Sequence, residues 1–340
     1  MLSTIDVRIS LRKRLLGAAL ALAAASAAAA PSGVVYTANE RDGSITRVQL
    51  ETGAKQTTKL EITPHNVQVS PDGKRLLAVG VASHEGHGAA GAGSKGKLLV
   101  METAGGAKPV LVDAGDHPAH VVTDAGGARA FVSDSGANVI HVIDLASMRS
   151  VGQIPTDKYP HGLRLSPDGK ALYVANMRGG TVSVIDAGTL KETARIPVGK
   201  GPVQVGFSPD GTMAFVSLSA ENSLGIIDTA KGRLVKKVPV GSTPIQMYAT
   251  PDGRRVYVAN QGSASKPADT VSVVDPHAGK VVATIKTDKG AHGVTISKDG
   301  RYVFVTNIEA ATLSVIDTTS NKVVATHSVG AGPNGVTYLE

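Results

Sequence analysis

The chain has 340 residues, a formal charge of +7 and no cysteine or tryptophan. The lack of cysteine excludes disulfide bonds, thiolate metal sites and covalently attached c-type haem, so stability must come from packing. Only 3% of the residues are aromatic, and the lysines and arginines are scattered along the chain, which argues against a nucleic-acid partner and against a membrane-binding patch.

The N-terminal residues have the layout of a secretory signal peptide. Arg12-Lys13-Arg14 precede an apolar run over 15–22, and the small residues Ala25-Ser26-Ala27 follow as a cleavage motif. We therefore predict a signal peptide over 1–27, one domain over 28–340, and a periplasmic or secreted location. Residues 1–30 carry four cations and one anion, so the rest of the chain has a charge of +4. No later segment is apolar for long enough to cross a bilayer.

A short turn sequence returns along the rest of the chain at a nearly fixed interval. Measured at the third residue of each turn, the steps are 54, 42, 42, 42 and 47 residues. A period of about 40–45 residues with short, evenly spaced strands is typical of a β-propeller blade. The turns are Ser70-Pro-Asp-Gly73, the degenerate Asp124-Ala-Gly-Gly127, Ser166-Pro-Asp-Gly169, Ser208-Pro-Asp-Gly211, Thr250-Pro-Asp-Gly253 and Ser297-Lys-Asp-Gly300.

One repeat, residues 161–199, shows the content of a blade. Alternating apolar residues over 162–165 precede the turn, and a second apolar strand follows over 171–175. A third strand covers 181–186 and a more polar fourth strand covers 192–198. Short strands joined by Gly, Asn and Asp turns predict one four-stranded antiparallel sheet.

The second strand of each repeat carries a recurring signature. It reads Tyr173-Val-Ala-Asn176 here, Tyr257-Val-Ala-Asn260 and Phe304-Val-Thr-Asn307 in later repeats, and Tyr36-Thr-Ala-Asn39 near the start. This sequence resembles the YVTN-repeat β-propeller family, which includes YncE-like periplasmic proteins, over nearly the whole chain. The resemblance implies a propeller fold; the activities within such a family vary. More distantly, the chain is similar to lactonase and haem-d1-binding propellers.

The number of blades follows from the two ends of the chain. The first recognisable strand, 34–39, lacks an innermost partner before it, and an orphan innermost strand ends the chain at 335–339. Pairing these ends gives an all-β, seven-bladed propeller of four-stranded antiparallel blades, closed by the C-terminal strand in the N-terminal blade. Such closure removes exposed sheet edges.

Histidines occupy one equivalent position in several blades, just before the innermost strand. This position, called the slot below, holds His65, His161 and His292, and His120 stands one place after the slot residue Ala119. We predict that these imidazoles meet at the mouth of the central funnel. Three or four imidazoles on a rigid ring suit a transition metal such as copper, zinc or iron, or a haem-like ligand. Polar lining of a water-filled channel is the alternative reading.

Two insertions fall in loops that join second to third strands on the same face. The first runs from Ser83 to Lys97 and contains His84 and His87, which we predict to close over the funnel as further metal ligands. The second covers 262–269. Glu85 and Glu309 are the candidate general bases nearby, and Asp116-His117 borders the funnel. We place His141 inside a strand and His277 and His327 on outer strands, so all three are predicted to lie outside the shared site.

Other repeated residues have structural explanations. The aspartates that end third strands are predicted to cap the next turn, and those of the Asp-Gly turns to stabilise the turn itself. We interpret the asparagines that end second strands as turn residues. The three groups are Asp144, Asp186, Asp228, Asp275 and Asp317; Asp72, Asp168, Asp210, Asp252 and Asp299; and Asn39, Asn176, Asn260 and Asn307.

These observations favour a non-enzymatic, monomeric, exported protein. Its decorated face would bind a metal ion, a haem-like ligand, another small ligand or a periplasmic protein partner, because loops on a rigid scaffold commonly carry function. The alternative is a lactonase-like hydrolase or a haem-d1-type oxidoreductase that uses the same funnel. A third possibility is an interaction module for a cell surface or nucleic acid; the modest charge argues against nucleic acid.

Overall fold

The computed structural model describes residues 31–83 and 95–340, which form seven four-stranded antiparallel sheets arranged as a propeller. The sheets are called blades 1 to 7 below, with blade 7 formed by both chain ends. A single turn of 3-10 helix, Ser219–Glu221, joins two strands of blade 4. Across the described ranges, no helix has the length and apolar character needed to span a membrane.

The strands alternate in direction from the channel outwards within each blade. From the innermost strand to the outermost, the bounds are as follows. Blade 1 has β4 (Ile62–Val69), β5 (Arg75–Ala82), β6 (Gly96–Glu102) and β7 (Val110–Asp113); blade 2 has β8 (Pro118–Thr123), β9 (Arg129–Asp134), β10 (Val139–Asp144) and β11 (Arg149–Pro155); blade 3 has β12 (Pro160–Leu165), β13 (Ala171–Asn176), β14 (Thr181–Asp186) and β15 (Lys191–Pro197).

The remaining blades repeat the pattern, with the last one completed by the first three strands of the chain. Blade 4 has β16 (Pro202–Phe207), β17 (Met213–Leu218), β18 (Ser223–Asp228) and β19 (Arg233–Pro239); blade 5 has β20 (Pro244–Ala249), β21 (Val256–Gly262), β22 (Pro267–Asp275) and β23 (Lys280–Lys286); blade 6 has β24 (Ala291–Ile296), β25 (Tyr302–Asn307), β26 (Thr312–Asp317) and β27 (Lys322–Ser328); blade 7 has β28 (Pro333–Leu339), β1 (Val34–Asn39), β2 (Ser44–Gln49) and β3 (Lys55–Lys59).

The ring closes as predicted from the sequence. β28 pairs antiparallel with β1 from Val34↔Leu339 to Asn39↔Pro333. β28 also contacts β24 on one side and β4 on the other, so the innermost strands form an unbroken circle. The second insertion lengthens a hairpin, because β21 and β22 continue to pair as far as Gly262↔Pro267. The first insertion extends β5 and β6, and residues 84–94 lie outside the described part of the chain.

Apolar packing lies between the blades. Each of the seven pairs of neighbouring blades encloses its own cluster of buried side chains. The cluster between blades 7 and 1 joins Tyr36, Ile45, Val67 and Leu76, for example. Because every blade contributes both faces to such clusters, each sheet is held by its two neighbours, and the stability of the ring depends on closure.

The repeated aspartates act as the sequence predicts. Asp186 Oδ1 accepts hydrogen bonds from the backbone N–H groups of Gly188 and Thr189, and the other third-strand aspartates cap their turns in the same way. In the Pro-Asp-Gly turns the preceding hydroxyl donates to the aspartate, as Ser166 does to Asp168. These carboxylates are structural.

The asparagines that end the second strands are not turn residues, contrary to the interpretation from the sequence. Asn39, Asn176, Asn260 and Asn307 are fully buried strand residues. The side-chain amide of Asn176 donates to the hydroxyls of Thr181 and Ser183 on the third strand, and the other three make equivalent bonds. These amides therefore tie the second strand to the third beneath the surface of the disc.

Blade 2 carries a charged version of this arrangement. Asp134 takes the place of the asparagine and His141 that of the serine, with 3.3 Å between His141 Nε2 and Asp134 Oδ2. The carboxylate also accepts the backbone N–H groups of Asp116, His117 and Gly136. Burial raises the pKa of Asp134, but these hydrogen bonds outweigh burial and hold the pKa well below its usual range. His141 is thereby placed in the blade interior.

We expect this carboxylate to make the protein sensitive to acid. A group with a depressed folded-state pKa stabilises the fold above its unfolded pKa, and that contribution disappears as pH falls towards the folded value. Asp134→Asn should therefore lower the free energy of unfolding by about 2 kcal/mol at pH 7. The difference from the parent chain should begin to shrink below about pH 4 and should still be shrinking at pH 2, because the folded-state pKa of Asp134 lies lower still. Urea unfolding across this pH range measures it.

Asp116→Asn is the matched control, since Asp116 is an exposed carboxylate in the adjoining loop. Its curve should follow the parent chain at every pH. A constant deficit of Asp134→Asn from pH 7 to pH 2 would show that ionisation of Asp134 contributes nothing to stability.

Candidate functional site

The innermost strands aim one side chain each at the mouth of the channel by means of a β-bulge. In every blade the ladder between the first and second strands shifts register at the slot, as between Pro160 and Leu163 in blade 3. The extra residue of a bulge leaves the regular pleat and redirects its side chain. The slot therefore lies inside the innermost strand and not just before it, where the sequence analysis placed it; β4 begins at Ile62 and β12 at Pro160, before the slot residues His65 and His161.

Hydroxyl groups satisfy the backbone at these bulges and fix the histidine positions. In blade 2 the Ser133 hydroxyl accepts the N–H of His120 at 3.1 Å and donates to the carbonyl of His161 in blade 3 at 2.6 Å. Ser217 and Thr306 make the same pair of bonds in blades 4 and 6. One small side chain of the Tyr-Val-Thr-Asn signature thus locks the slot backbone of two neighbouring blades.

Three histidines from three consecutive blades converge at one point. One ring nitrogen from each of His65, His120 and His161 lies within 4.8 Å of those of the other two. His65 Nε2 and His161 Nε2 are 3.3 Å apart, and the three ring centroids are separated by 4.9, 5.3 and 5.7 Å. Residues 96 positions apart in the chain therefore form a compact imidazole cluster, called the histidine cluster below.

His120 enters the cluster from a different register. It stands one place after the slot, where other blades have the amides Asn66, Gln204 and Gln246 or a glycine. Its ring is almost completely buried, and the Gln204 amide Nε2 lies 3.4 Å from His120 Nδ1. The small slot residue Ala119 keeps the mouth of the channel clear beside it. The result is a deeper third ring below His65 and His161.

Backbone carbonyl acceptors outside the cluster hold the slot rings of His161 and His292 in one tautomer. His161 Nδ1 donates to the carbonyl of Val203 at 3.1 Å, and His65 Nδ1 lies 3.2 Å from the Glu40 carboxylate. His292 Nδ1 likewise donates to the carbonyl of Asn334 at 3.0 Å. With the proton on Nδ1, the Nε2 lone pair of His161 and that of His292 are directed away from the strand. Metal-binding histidines are usually oriented by such outer partners.

The electrostatic environment favours the neutral form of His120 and His161 and keeps the nearby carboxylate ionised. Burial, followed by the interaction with His65, lowers the pKa of His161 to about 3 and that of His292 to about 4. Burial also holds the pKa of His120 well below its usual value. Burial raises the pKa of Glu40, but the hydrogen bond and charge of His65 outweigh it and bring the pKa to about 2. Neutral imidazole is the form that binds metals.

Glu40 is the site residue that sequence analysis missed. It follows the Tyr-Thr-Ala-Asn39 signature directly and belongs to blade 7, so closure of the ring brings it beside His65 of blade 1. Asn334, the slot residue of the same blade, donates its amide to Glu40 and lies 3.0 Å from His65 Nδ1. The equivalent place after the other signatures is uncharged: Ser135, Met177, Ser219, Gln261 and Ile308. The one acidic residue among these equivalent positions is the feature of the sequence that could have identified Glu40 as a site residue.

The other predicted residues lie apart from the three-ring group or cannot be placed. His292 is buried and interacts electrostatically with the cluster but stands outside the group of three nitrogens. His84, Glu85 and His87 lie outside the described residues. Glu309 forms an ion pair with Arg41 at the same face, and His117 lines the cavity beside the cluster. His277 is an exposed turn residue, whereas the sequence placed it on an outer strand.

A cavity of about 230 Å³ opens beside the cluster. Glu40, His65 and His161 form one wall, and Thr63, His117, Ser135 and Tyr159 contribute to the rest. Arg178 stacks over the Tyr159 ring at 4.3 Å and so steadies the rim. The space suits water and a ligand of a few atoms next to the histidine cluster.

Solved structures share the fold at low sequence identity. Hydrazine synthase of Kuenenia stuttgartiensis matches with a TM-score of 0.69 and 21% identity over 82% of this chain and 91% of that chain. A functionally unknown protein from Desulfotomaculum acetoxidans matches with a TM-score of 0.74 and 19% identity, covering 91% and 99% of the two chains. The periplasmic gluconolactonase of Pseudomonas aeruginosa gives 0.70 and 19% with the same coverages.

A comparison with curated protein sequences finds no match. The model of the YNCE-like β-propeller family matches residues 102–248 and 249–340. Those ranges cover well over half of the chain and include all of blades 2 to 6. The chain therefore belongs to the YNCE-like β-propeller family.

Proposed function

We propose that this protein is an exported β-propeller that binds one transition-metal ion in its funnel through His65, His120 and His161. The observation that carries the proposal is the convergence of three ring nitrogens within 4.8 Å of one another. Each comes from a different blade, so a rigid ring and not a flexible loop sets their positions. Preorganised ligands of this kind lose little conformational entropy when an ion binds.

The distances suit a single tetrahedral ion. Two nitrogens bound to one zinc ion at about 2.0–2.1 Å are roughly 3.3–3.4 Å apart in tetrahedral geometry. The separation of His65 Nε2 and His161 Nε2 is 3.3 Å. His161 Nδ1 donates to the carbonyl of Val203, so the Nε2 lone pair of that ring is available to a cation held between His161 and His65. Imidazole ligands favour zinc or copper.

A single ion fits the cluster better than a haem-like group. Haem iron takes at most two axial protein ligands, on opposite faces of the macrocycle, whereas three ring nitrogens lie here within 4.8 Å of one another. Ionised Glu40 balances part of the charge of a divalent ion through His65. The role of Glu40 is then to orient the ring and to raise the basicity of its Nε2.

Export is part of the proposal. The leader-like sequence over 1–27, with its basic residues, apolar run and small-residue cleavage motif, supports transport to the periplasm or outside the cell. Because the chain has no cysteine, it needs no partner there that forms or rearranges disulfide bonds. Histidine ligands also keep a metal site independent of the oxidising conditions of that compartment.

A metal-dependent hydrolase is the second candidate function. Three histidines with an open coordination position are typical of catalytic zinc sites, and the cavity of about 230 Å³ could admit a small ester or lactone beside the ion. The low pKa of Glu40, about 2, makes it a weak general base at neutral pH. Hydrolysis of sugar lactones by the metal-loaded protein, lost after chelation, would favour this candidate over simple binding.

Metal titration of the purified chain tests the proposal. The protein is prepared without an affinity tag, treated with a chelator, and titrated with Zn²⁺ and with Cu²⁺ by calorimetry. We expect one equivalent to bind and the unfolding midpoint to rise, because an ion present at 100 times its Kd stabilises the fold by about 2.7 kcal/mol. Absence of stoichiometric binding by both ions would refute the metal site and leave the channel lining as the explanation.

A further inference from the structure

A second pocket lies at the other end of the channel, where innermost strands β12, β16 and β20 finish. Its volume is about 260 Å³. The strands contribute Arg164, Phe207, Met247 and Tyr248, and the Pro-Asp-Gly turns that follow contribute Pro167, Pro209 and Pro251. Arg164 is three residues beyond the slot histidine of its strand, or roughly 10 Å along the channel. This pocket is therefore separate from the histidine cluster.

A missing side chain creates the space. The third residue after the slot is Arg164 in blade 3, Gly206 in blade 4 and Tyr248 in blade 5. With no side chain at Gly206, the Arg164 guanidinium reaches across to the Tyr248 ring, with 5.5 Å between its Cζ and the ring centroid. An ideal Cβ on Gly206 would meet its nearest neighbour, Met247 Sδ, at 3.6 Å, an ordinary contact. Backbone geometry therefore does not require glycine here, and the glycine keeps the pocket open.

The pocket holds one positive charge and no negative charge. None of its lining residues is acidic. Arg164 is partly buried, and its guanidinium contacts the Tyr248 ring. Within residues 31–83 and 95–340 it makes no ion pair. Guanidinium groups pair with carboxylates through two parallel hydrogen bonds.

The remaining walls select the body of the ligand. Phe207, Met247, Leu165 and the three prolines are apolar, and Tyr248 offers a ring face. The Ser208 hydroxyl is already used, since it donates to Asp210 and accepts from the Met213 N–H. A phosphate dianion would find a single cationic group among apolar walls. A monocarboxylate with one ring or a short branched chain matches both the single charge and the volume.

We propose that this pocket binds a small apolar carboxylate, with its carboxylate on Arg164 and its apolar body between Phe207, Met247 and Tyr248. The site is independent of the histidine cluster and stands whether or not a metal binds there. The pocket therefore lies at the opposite end of the channel from the histidine cluster, and its proposed ligand is an organic anion.

Benzoate is the probe, titrated into the full chain and followed by calorimetry and by tyrosine fluorescence. We expect a Kd on the order of 0.1 mM for a ligand of this size. Arg164→Gln should weaken binding at least tenfold because it removes the paired charge. Gly206→Leu should weaken it at least as much because its side chain fills the pocket. Benzamide, which has the same ring and no charge, should bind at least tenfold more weakly than benzoate.

Two controls separate the site from general effects. Gly152→Leu adds the same side chain on an outer strand, where a Cβ meets nothing within 4 Å, and Arg178→Gln removes the arginine stacked on Tyr159 at the other mouth. Both should bind benzoate as the parent chain does. Equal affinity for benzamide, unchanged binding by folded Arg164→Gln, or tighter binding of inorganic phosphate than of benzoate would overturn the assignment.

Discussion

Deletion of residues 333–340 should abolish the cooperative unfolding transition of the propeller. The deletion removes β28, the innermost strand of blade 7, and with it six paired positions along β1. The innermost strands of the two neighbouring blades, β24 and β4, each lose their contact with β28 at the same time. The apolar cluster between blades 6 and 7, which includes Val35 and Phe304, becomes exposed to water. We expect a loss of about 5–10 kcal/mol, which is similar to the whole stability of a typical domain.

The measurement is urea unfolding followed by circular dichroism, together with size-exclusion chromatography. Deletion of Glu340 alone is the control, because that exposed residue contributes an ion pair to Lys298 and no strand pairing. The control should unfold as the parent chain does. If the chain ending at Gly332 keeps the parent midpoint and slope, closure through blade 7 is dispensable, and the blades are held by their own ladders.

Architecture was predictable from the sequence because a blade is a local unit repeated in the chain. The spacing of the Pro-Asp-Gly turns, as in 166–169 and 208–211, records one blade per repeat. The orphan strands at the two ends could complete only a shared blade. Both inferences need only nearest-neighbour pairing, and β28 pairing with β1 confirms them.

The histidine cluster was predictable in part. Equivalent slots in a ring point at one axis, so aligning the repeats was enough to bring His65 and His161 together. The β-bulge that directs these side chains towards the channel could not be predicted from the sequence, because no residue type marks it beyond the preceding proline. The depth of His120, one place after the slot, depends on the Ser133 hydroxyl that fixes its backbone.

Contacts between the chain ends were beyond the repeat pattern. Glu40 faces His65 because blade 7 closes against blade 1, and a search for acids near the predicted histidines in sequence finds Glu85 instead. The prediction that the strand-ending asparagines are turn residues was wrong for a different reason. Asparagine at the end of a strand is commonly a turn residue, and only the facing hydroxyls of the third strand, such as Ser183 for Asn176, make burial favourable.

The proposed metal site should respond strongly to loss of one ligand. We expect His161→Ala to weaken zinc binding at least 100-fold, because His161 supplies one of the three converging nitrogens and is 3.3 Å from its partner on His65. Glu40→Gln leaves all three rings in place and removes only the charge behind His65. Loss of an outer partner of this kind costs about 10–100-fold in metal affinity, so this variant should fall between His161→Ala and the parent chain.

The order of the three affinities is the informative result, measured by competition with a coloured zinc chelator on metal-free protein. His277→Ala is the matched control, because His277 is exposed on a turn away from the channel, and it should leave the affinity unchanged. Unfolding midpoints of the metal-free variants check that each still folds. Equal weakening by His277→Ala and His161→Ala would mean that zinc binds surface histidines. A Glu40→Gln variant as tight as the parent would mean that the Glu40 carboxylate, despite lying 3.2 Å from His65 Nδ1, does not tune the ligand.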